Sequence, residues 1–273
     1  MDNGLHFISG LPRSGSTLLS ALLRQNPRIH AAMTSAVASL VSSLLRCMSQ
    51  ENESSVFIDD RQRERVLTAC VDAFYADIHP EKLVIDTSRV WCSKLPTIAA
   101  LWPDAKVIAC VRNPAWALDS IERLTRKNAL EPSNIFRFDP GGTVYSRAEG
   151  LMSGAGMIGF ALNALREAVF DSNHDRLLVV RFETLTTDPG AVMAAIYDFL
   201  GEPAFTHDFG HIEPDYEAMA FDARIGSPGL HAVAPRVHNT LRDTILPPDL
   251  FQKYAGGAFW SMPGGLPKGV RLV

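Results

Sequence analysis

No stretch of this sequence approaches the roughly 18 uninterrupted apolar residues of a membrane-spanning helix. The start, MDNGLHFISG, has no basic segment leading into an apolar core. Neither export nor membrane spanning is expected. Cysteine is scarce as well: Cys47, Cys70, Cys92 and Cys110 stand far apart and form no CxxC pair, which argues against a zinc site and for reduced thiols in a cytoplasmic protein. Basic charge is not in excess either. Lys and Arg number 26 against 30 Asp and Glu, for a formal charge of -4, so no broad attraction to nucleic acid operates and any anion site has to be local. Nothing in the sequence fixes an oligomeric state.

What is present is a chain of 273 residues, 47% of them apolar, enough to bury a large core. A single α/β domain over residues 1–273 is the expectation. Leu5 to Ser9 is a short apolar run followed by a glycine-bearing turn and then a helical pattern, Leu18, Leu19, Leu22 and Leu23, stopped by Asn26 and Pro27. Leu83 to Asp86, Lys106 to Val111 and Arg176 to Phe182 read as further strands, with a helix from about Asp188 to Leu200 ending at Gly201. Strands alternating with helices predict a three-layer α/β/α fold on a central parallel sheet, because parallel neighbours need a crossover. The polar stretch Ser49 to Arg65 reads as a loop before a helix at Val66 to Tyr75. Asn128 to Tyr145, with Pro132, Pro140, Gly141 and Gly142, reads as a loop bordering a substrate cleft. Gly201 to Pro248 reads as irregular, and a segment of that length is more often functional than idle.

The first chemical motif is GLPRSGST, Gly10 to Thr17, placed between a strand and a helix. Backbone N–H groups in such a turn converge on one point, and the helix adds the positive end of its dipole, which suits a phosphate. Against the nucleotide-triphosphatase pattern GxxxxGK[ST], the lysine position holds Ser16, so nothing reaches for the outer phosphates of ATP. Arg13 sits earlier, where its fork of donors would hold a 5′-phosphate and its bridging oxygen. The second motif is KVIACVRNPAWALDS, Lys106 to Ser120. Arg112 ends a strand and Ser120 lies two helical turns on, so both approach one anion beside the sheet. Two phosphate sites on neighbouring strands describe a nucleotide phosphorylated at both ends.

On these residues the chain resembles the P-loop-type sulfotransferases that use 3′-phosphoadenosine 5′-phosphosulfate (PAPS) and release the 3′,5′-bisphosphate (PAP). The resemblance implies that Arg13, Ser14, Gly15, Ser16 and Thr17 wrap the 5′-phosphosulfate, with Arg13 stabilising the leaving phosphate, and that Arg112 and Ser120 bind the 3′-phosphate. No metal is implied. RFETLTTDPGAVMAAIYDFLG, Arg181 to Gly201, looks like the family's late strand-to-helix segment. GSPGLHAVAPRVH, Gly226 to His238, looks like the loop closing over the adenine and 3′-phosphate in bacterial members, with Ser227, His231 and Arg236 as its ligands. LPPDLFQKYAGGAFW extends the resemblance toward the end.

One departure bears on the chemistry. The tyrosylprotein sulfotransferases, which the chain resembles distantly, place a catalytic Glu after the helix that follows the first loop, and here that stretch, HAAMTSAV, has Thr34 and Ser35. Asp86 is the alternative base, at the end of a strand on the ligand-binding edge of the sheet; the equal reading is a cap on a helix that begins near Val90, made by Asp86 itself, Thr87 or Ser88. Arg89 supplies a positive charge where the family often has Lys. His30 and His231 are weaker bases. The expected function is sulfuryl transfer to a hydroxyl or amine of a small molecule, lipid or glycan, with a protein acceptor also open. A catalytically degenerate PAP-binding protein and an ATP-dependent kinase are the competing readings.

Overall fold

The computed structural model describes residues 4–78, 81–139, 141–239 and 242–273; Met1 to Asn3 and Pro140, which entered the reading above, lie outside the described residues. In chain order the elements are β1 (Leu5–Gly10), α1 (Ser16–Leu23), β2 (Ile29–Ala31), α2 (Val37–Cys47), α3 (Asp60–Phe74), β3 (Leu83–Thr87), α4 (Leu95–Leu101), β4 (Val107–Val111), α5 (Pro114–Lys127), α6 (Val144–Met152), α7 (Met157–Phe170), β5 (Leu177–Arg181), α8 (Phe182–Thr187), α9 (Pro189–Leu200), α10 (Tyr216–Arg224), α11 (Pro248–Ala255) and β6 (Arg271–Leu272). The strands form one sheet in the order β2-β3-β1-β4-β5-β6, every described pair parallel. The expected three-layer α/β arrangement is the one found.

Period-two alternation sorts the strand residues onto two faces. Phe7, Val84, Val107, Ala109 and Leu177 join one core with Trp91, Leu95, Leu118, Ile121 and Leu165. Ile8, Ile85, Ile108, Cys110, Leu178 and Val180 join the other with Leu19, Leu22, Val192 and Ile196. Both faces are covered, which is why the strands are apolar at nearly every position. α1 therefore packs on one face and α5 on the other. The chain leaves β1 toward β2 and leaves β4 in the opposite direction, and β1 and β4 are neighbours in register from Phe7↔Val107 to Gly10↔Cys110. The crevice at their carboxyl ends is the topological switch point, where open α/β sheets bind ligands.

Two expectations need correction. The helix expected from Val66 begins at Asp60, because Asp59 and Gln62 form a reciprocal capping box that holds two polar, solvent-facing turns. The irregular region from Gly201 contains α10, started by the Asp215 carboxylate accepting the Ala218 N–H at 2.9 Å. The loop expected to border a cleft does so, with a short 3-10 turn at Asn134–Phe136, although its last residues already belong to α6.

Gly10 is the tightest point of the frame. Its φ is +105°, and a Cβ there would stand 2.0 Å from the carbonyl oxygen of Cys110. Backbone on a central strand cannot retreat from that contact. Gly10→Ala should cost at least ~2 kcal/mol from the strained φ and overpacking together, seen as a lower urea midpoint with the slope unchanged.

Candidate functional site

The loop after β1 and the loop after β4 open into one cleft of about 960 Å³. Its lining contains Arg13, Arg89, Arg112, Arg137, Arg236 and Arg242, and no Asp or Glu among the described residues. A chain of net negative charge thus concentrates positive charge in one concavity, the arrangement that focuses a field on an anion.

The first loop turns through Arg13, a non-glycine residue at φ 61°, and Gly15 at φ 97°. A Cβ on Gly15 would press on Leu185 and Phe182 at 3.1 Å. The first helical bond after the turn runs from the Leu19 N–H to the Gly15 carbonyl at 2.8 Å, so the N–H groups just before it must find acceptors outside the helix. Ser16 and Thr17 line the cleft. Ser14 does not: it is fully buried, and its hydroxyl is taken up by the carbonyls of Leu11 and Cys110. Its side chain ties the loop to β4, so of Ser14 only the backbone is left to serve the expected phosphosulfate loop.

The second motif meets the first directly. Arg13 Nε donates to Ser120 Oγ at 3.0 Å and its Nη1 donates to the carbonyl of Leu230. Arg112 lies over the Phe182 ring at 4.1 Å, and its Nη1 reaches the Arg13 carbonyl at 3.4 Å. Asn113 caps α5 by accepting the Ala115 N–H, with Pro114 in the first turn, so the strand-end arginine and the serine two turns on are held in fixed relation. Arg112 Nε is buried without a hydrogen-bond partner among the described residues. An orphaned charged donor in a wall of arginines is under-satisfied as it stands, and it fits an anionic group. Desolvation pushes Arg112 down to about 10, and the charges of Arg242 and Arg13 push the same way against Glu183 and Asp119. Burial lowers Arg13 too, with Asp222 opposing and Arg242 adding.

The late loop contributes more than was read from it. His231 and Arg236 line the cleft. Ser227, expected as a cofactor ligand, is buried and does not line the cleft: its hydroxyl is bonded to Ser133 Oγ and its N–H to the Asp222 carbonyl, so it pins the loop. Arg242, which no local pattern singles out, lines the cleft beside Arg13 and Arg112, and its Nη2 stands 2.9 Å from Asp119 Oδ2. Asp119 is fully buried. Its carboxyl is held below the usual range: burial opposes this, but the Ile245 N–H, Arg123, Thr244 and the charge of Arg242 prevail.

Asp86 is not at the surface of the cleft. It is fully buried, and its carboxylate accepts from Ser35 Oγ, from Tyr75 OH at 2.5 Å and from Trp91 Nε1 at 2.5 Å. Burial pushes the carboxyl up, against the pull of those three bonds. It neither caps the helix after Val90 nor faces the cleft, because three side-chain donors from β3's surroundings occupy it. The same occupancy removes the carboxylate a magnesium-dependent kinase would have used. His30 packs edge-on against Tyr75, with ring centres 5.7 Å apart, and does not line the cleft. Arg89 does line it, exposed and without an ion-pair partner among the described residues.

Residues 6–207 match the model of the Sulfotransferase family. The chain is 24% identical over 208 residues to protein-tyrosine sulfotransferase 2 of Gallus gallus, an alignment covering 72% of this chain and 51% of that protein. It spans about half the length of the curated relatives it matches. Among solved structures it resembles the sulfotransferase domain from the curacin biosynthetic pathway, with TM-score 0.53 and 18% identity over 97% of this chain and 94% of that one. The sulfotransferase domain of the Synechococcus PCC 7002 olefin synthase gives TM-score 0.50 and 20% identity, covering 96% of each. These last two likenesses establish the fold.

The geometry makes Asp86 an anchor for three chain segments, through Ser35, Tyr75 and Trp91. Asp86→Ala strips the acceptor from three donors, two of them on the large buried side chains Tyr75 and Trp91, and should cost roughly 3 kcal/mol or more. Asp86→Asn keeps one carbonyl oxygen and should cost less. Chemical denaturation of the two variants checks the order, and equal stability of Asp86→Ala and the unaltered chain would remove the anchor role.

Proposed function

The chain belongs to the sulfotransferase family, and on that premise we propose that it transfers a sulfuryl group from PAPS to a hydroxyl or amine of an acceptor, releasing PAP. The observation that carries this reading is the meeting of both phosphate motifs at the switch point, in an arginine-lined cleft with the orphaned Arg112 Nε in its wall. Bound in the cleft, PAPS would supply the sulfuryl group and a phosphate leaving group.

The residues divide the work by position. The N–H groups of Ser14, Gly15, Ser16 and Thr17 and the hydroxyls of Ser16 and Thr17 hold the 5′-phosphosulfate. Arg13 supplies donors where negative charge gathers on the leaving oxygen, a contribution that counts most in the transition state. Arg112, Ser120 and Arg242 hold the 3′-phosphate, and Arg112 Nε gains the acceptor it lacks. Arg236 contributes charge to the nucleotide site from the late loop, and Arg89 adds positive charge from the segment after β3. The lining also includes Met33, Ala38, Val90, Ile135, Met157 and Phe160 together with Ser39 and Ser42, and these form the acceptor region in this reading. A small molecule, lipid or glycan suits that mixed wall. The names of the tyrosine sulfotransferase relatives support a protein acceptor as the second possibility. The four free cysteines support a cytoplasmic location.

PAP should raise the melting temperature without magnesium, and by more than magnesium ATP does, since ATP has no 3′-phosphate for Arg112 and Ser120. A larger shift with magnesium ATP would sink the cofactor assignment. Arg112→Ala should weaken PAP binding by about one to two decades, the worth of charge-assisted bonds of roughly 1.5 to 3 kcal/mol. Calorimetry with adenosine 5′-phosphosulfate, which lacks the 3′-phosphate, should show little change in the same variant. Equal losses for the two ligands would take the 3′-phosphate away from Arg112.

A further inference from the structure

Sulfuryl transfer leaves one proton without a destination. The acceptor's O–H or N–H must lose it, no Asp or Glu lines the cleft among the described residues, and Asp86 is closed off by three donors. One group in the cleft is built to receive it. His231 lines the cleft, and the carboxylate of Asp222 behind it takes both of its N–H groups, the backbone N–H at 2.6 Å and the ring Nδ1 at 2.5 Å. Asp222 is fully buried on α10. An ionised carboxylate only accepts, so its bond to Nδ1 places the ring proton there and leaves the lone pair on Nε2. Nε2 has no hydrogen-bond partner among the described residues.

The ring is held in place as well as oriented. The Ser227 N–H bonds to the Asp222 carbonyl at 2.8 Å, the Asn128 side chain donates to the Pro228 carbonyl at 2.9 Å, and Gly226 at φ 66° passes 2.2 Å from the Pro132 carbonyl, measured from the Cβ it does not have. The residue before His231 is Leu230, whose carbonyl receives Arg13 Nη1. His231 thus enters the cleft one residue from the contact that anchors Arg13. Two other histidines bear comparison. His238 also lines the cleft, but it is exposed and its Nδ1 meets a carbonyl, not a carboxylate. His211 pairs with Asp208, but both are exposed and lie outside the cleft.

We propose that His231 is the general base of the transfer and that Asp222 is its positioning partner. The proposal rests on the sulfuryl-transfer reading and concerns residues beyond the stretch, 6–207, that the family model matches. As the acceptor oxygen or nitrogen bonds to sulfur, its proton passes to His231 Nε2. The electron pair of the breaking S–O bond stays on the phosphate oxygen beside Arg13. The imidazolium is stabilised by Asp222 and afterwards returns the proton to solvent.

The test uses the full chain and the variants His231→Asn and Asp222→Asn. Asparagine keeps a donor for Asp222 but has no counterpart of Nε2. PAP affinity by calorimetry should change less than twofold in His231→Asn, while PAP release from PAPS, with water or 2-naphthol as acceptor, should fall by roughly a hundredfold or more. In long-range proton–nitrogen spectra of histidine-labelled protein at neutral pH, His231 should carry its proton on Nδ1 alone, free and with PAP bound. In Asp222→Asn it should become a mixture of tautomers, and PAP release should fall while PAP affinity is kept, a split that a merely structural bond would not produce. A tenfold loss of PAP affinity in His231→Asn, or a doubly protonated His231 ring in the PAP complex, would overturn the proposal by making His231 a phosphate ligand. Failure of the unaltered chain to bind PAP would instead remove the sulfuryl-transfer reading, and the proposal with it, whatever the tautomer proves to be.

Discussion

Three guanidinium groups repel one another across the carboxyl ends of β1 and β4, and much of the site's architecture exists to hold them there. Arg13 is threaded between Ser120 and the Leu230 carbonyl, Arg112 lies on Phe182, and Arg242 is drawn in by Asp119. Each contact comes from a different part of the chain. Without them, long flexible side chains of like charge would move apart into water, where hydration and screening cost less than confinement. The depressed basicity of Arg112 and Arg13 is the trace of that confinement. A bound polyanion relieves it, which makes the cleft selective for charge before any contact with a base or sugar is considered.

The carboxylates are placed to compensate without competing. Asp119 and Asp222 are fully buried behind the cleft wall, each facing a cationic or imidazole partner, and neither lines the cavity. A carboxylate in the cavity itself would offer the arginines a permanent partner and repel the nucleotide. Set behind the wall, Asp119 fixes one end of Arg242, and Asp222 fixes one nitrogen of His231 while the other has no hydrogen-bond partner among the described residues. Burying these charges is tolerable because each has several hydrogen bonds; Asp119 accepts from Thr244 Oγ1, the Ile245 N–H and Arg123 Nε as well.

Much of the frame was legible in the sequence because it obeys local rules. β1, β3, β4 and β5 are apolar runs between turn residues, and both phosphate motifs sit where a strand hands over to a helix. β2 and β6, three and two residues long, have no periodicity to detect and exist through pairing with β3 and β5. The start of α3 was hidden by its polar face, although the Asp59 and Gln62 capping pair stood in the sequence as a signal. In the site, Arg13 and Arg112 were readable because each lies close to a strand end, and Ser120 because it stands two turns on along the helix that follows β4. Arg242 and Asp119 are 123 positions apart by their numbers and share no motif, so only the fold brings them together. Ser14 and Ser227 show what a motif does not reveal: a polar residue inside it can spend its hydroxyl on holding the motif's shape.

Asp86 and His231 together show why residue type and strand-end position were insufficient to choose a base. Asp86 has the favoured position, but its environment presents three donors to two oxygens, and removing a proton from a substrate would require breaking bonds already made. His231 has the less favoured position, on a late loop with no regular structure, yet its environment presents one acceptor to one of its two nitrogens. What decides the difference is how many of a group's hydrogen-bonding sites the fold has already used. A base needs one site held and one site open, and that count can be taken only after the chain has folded.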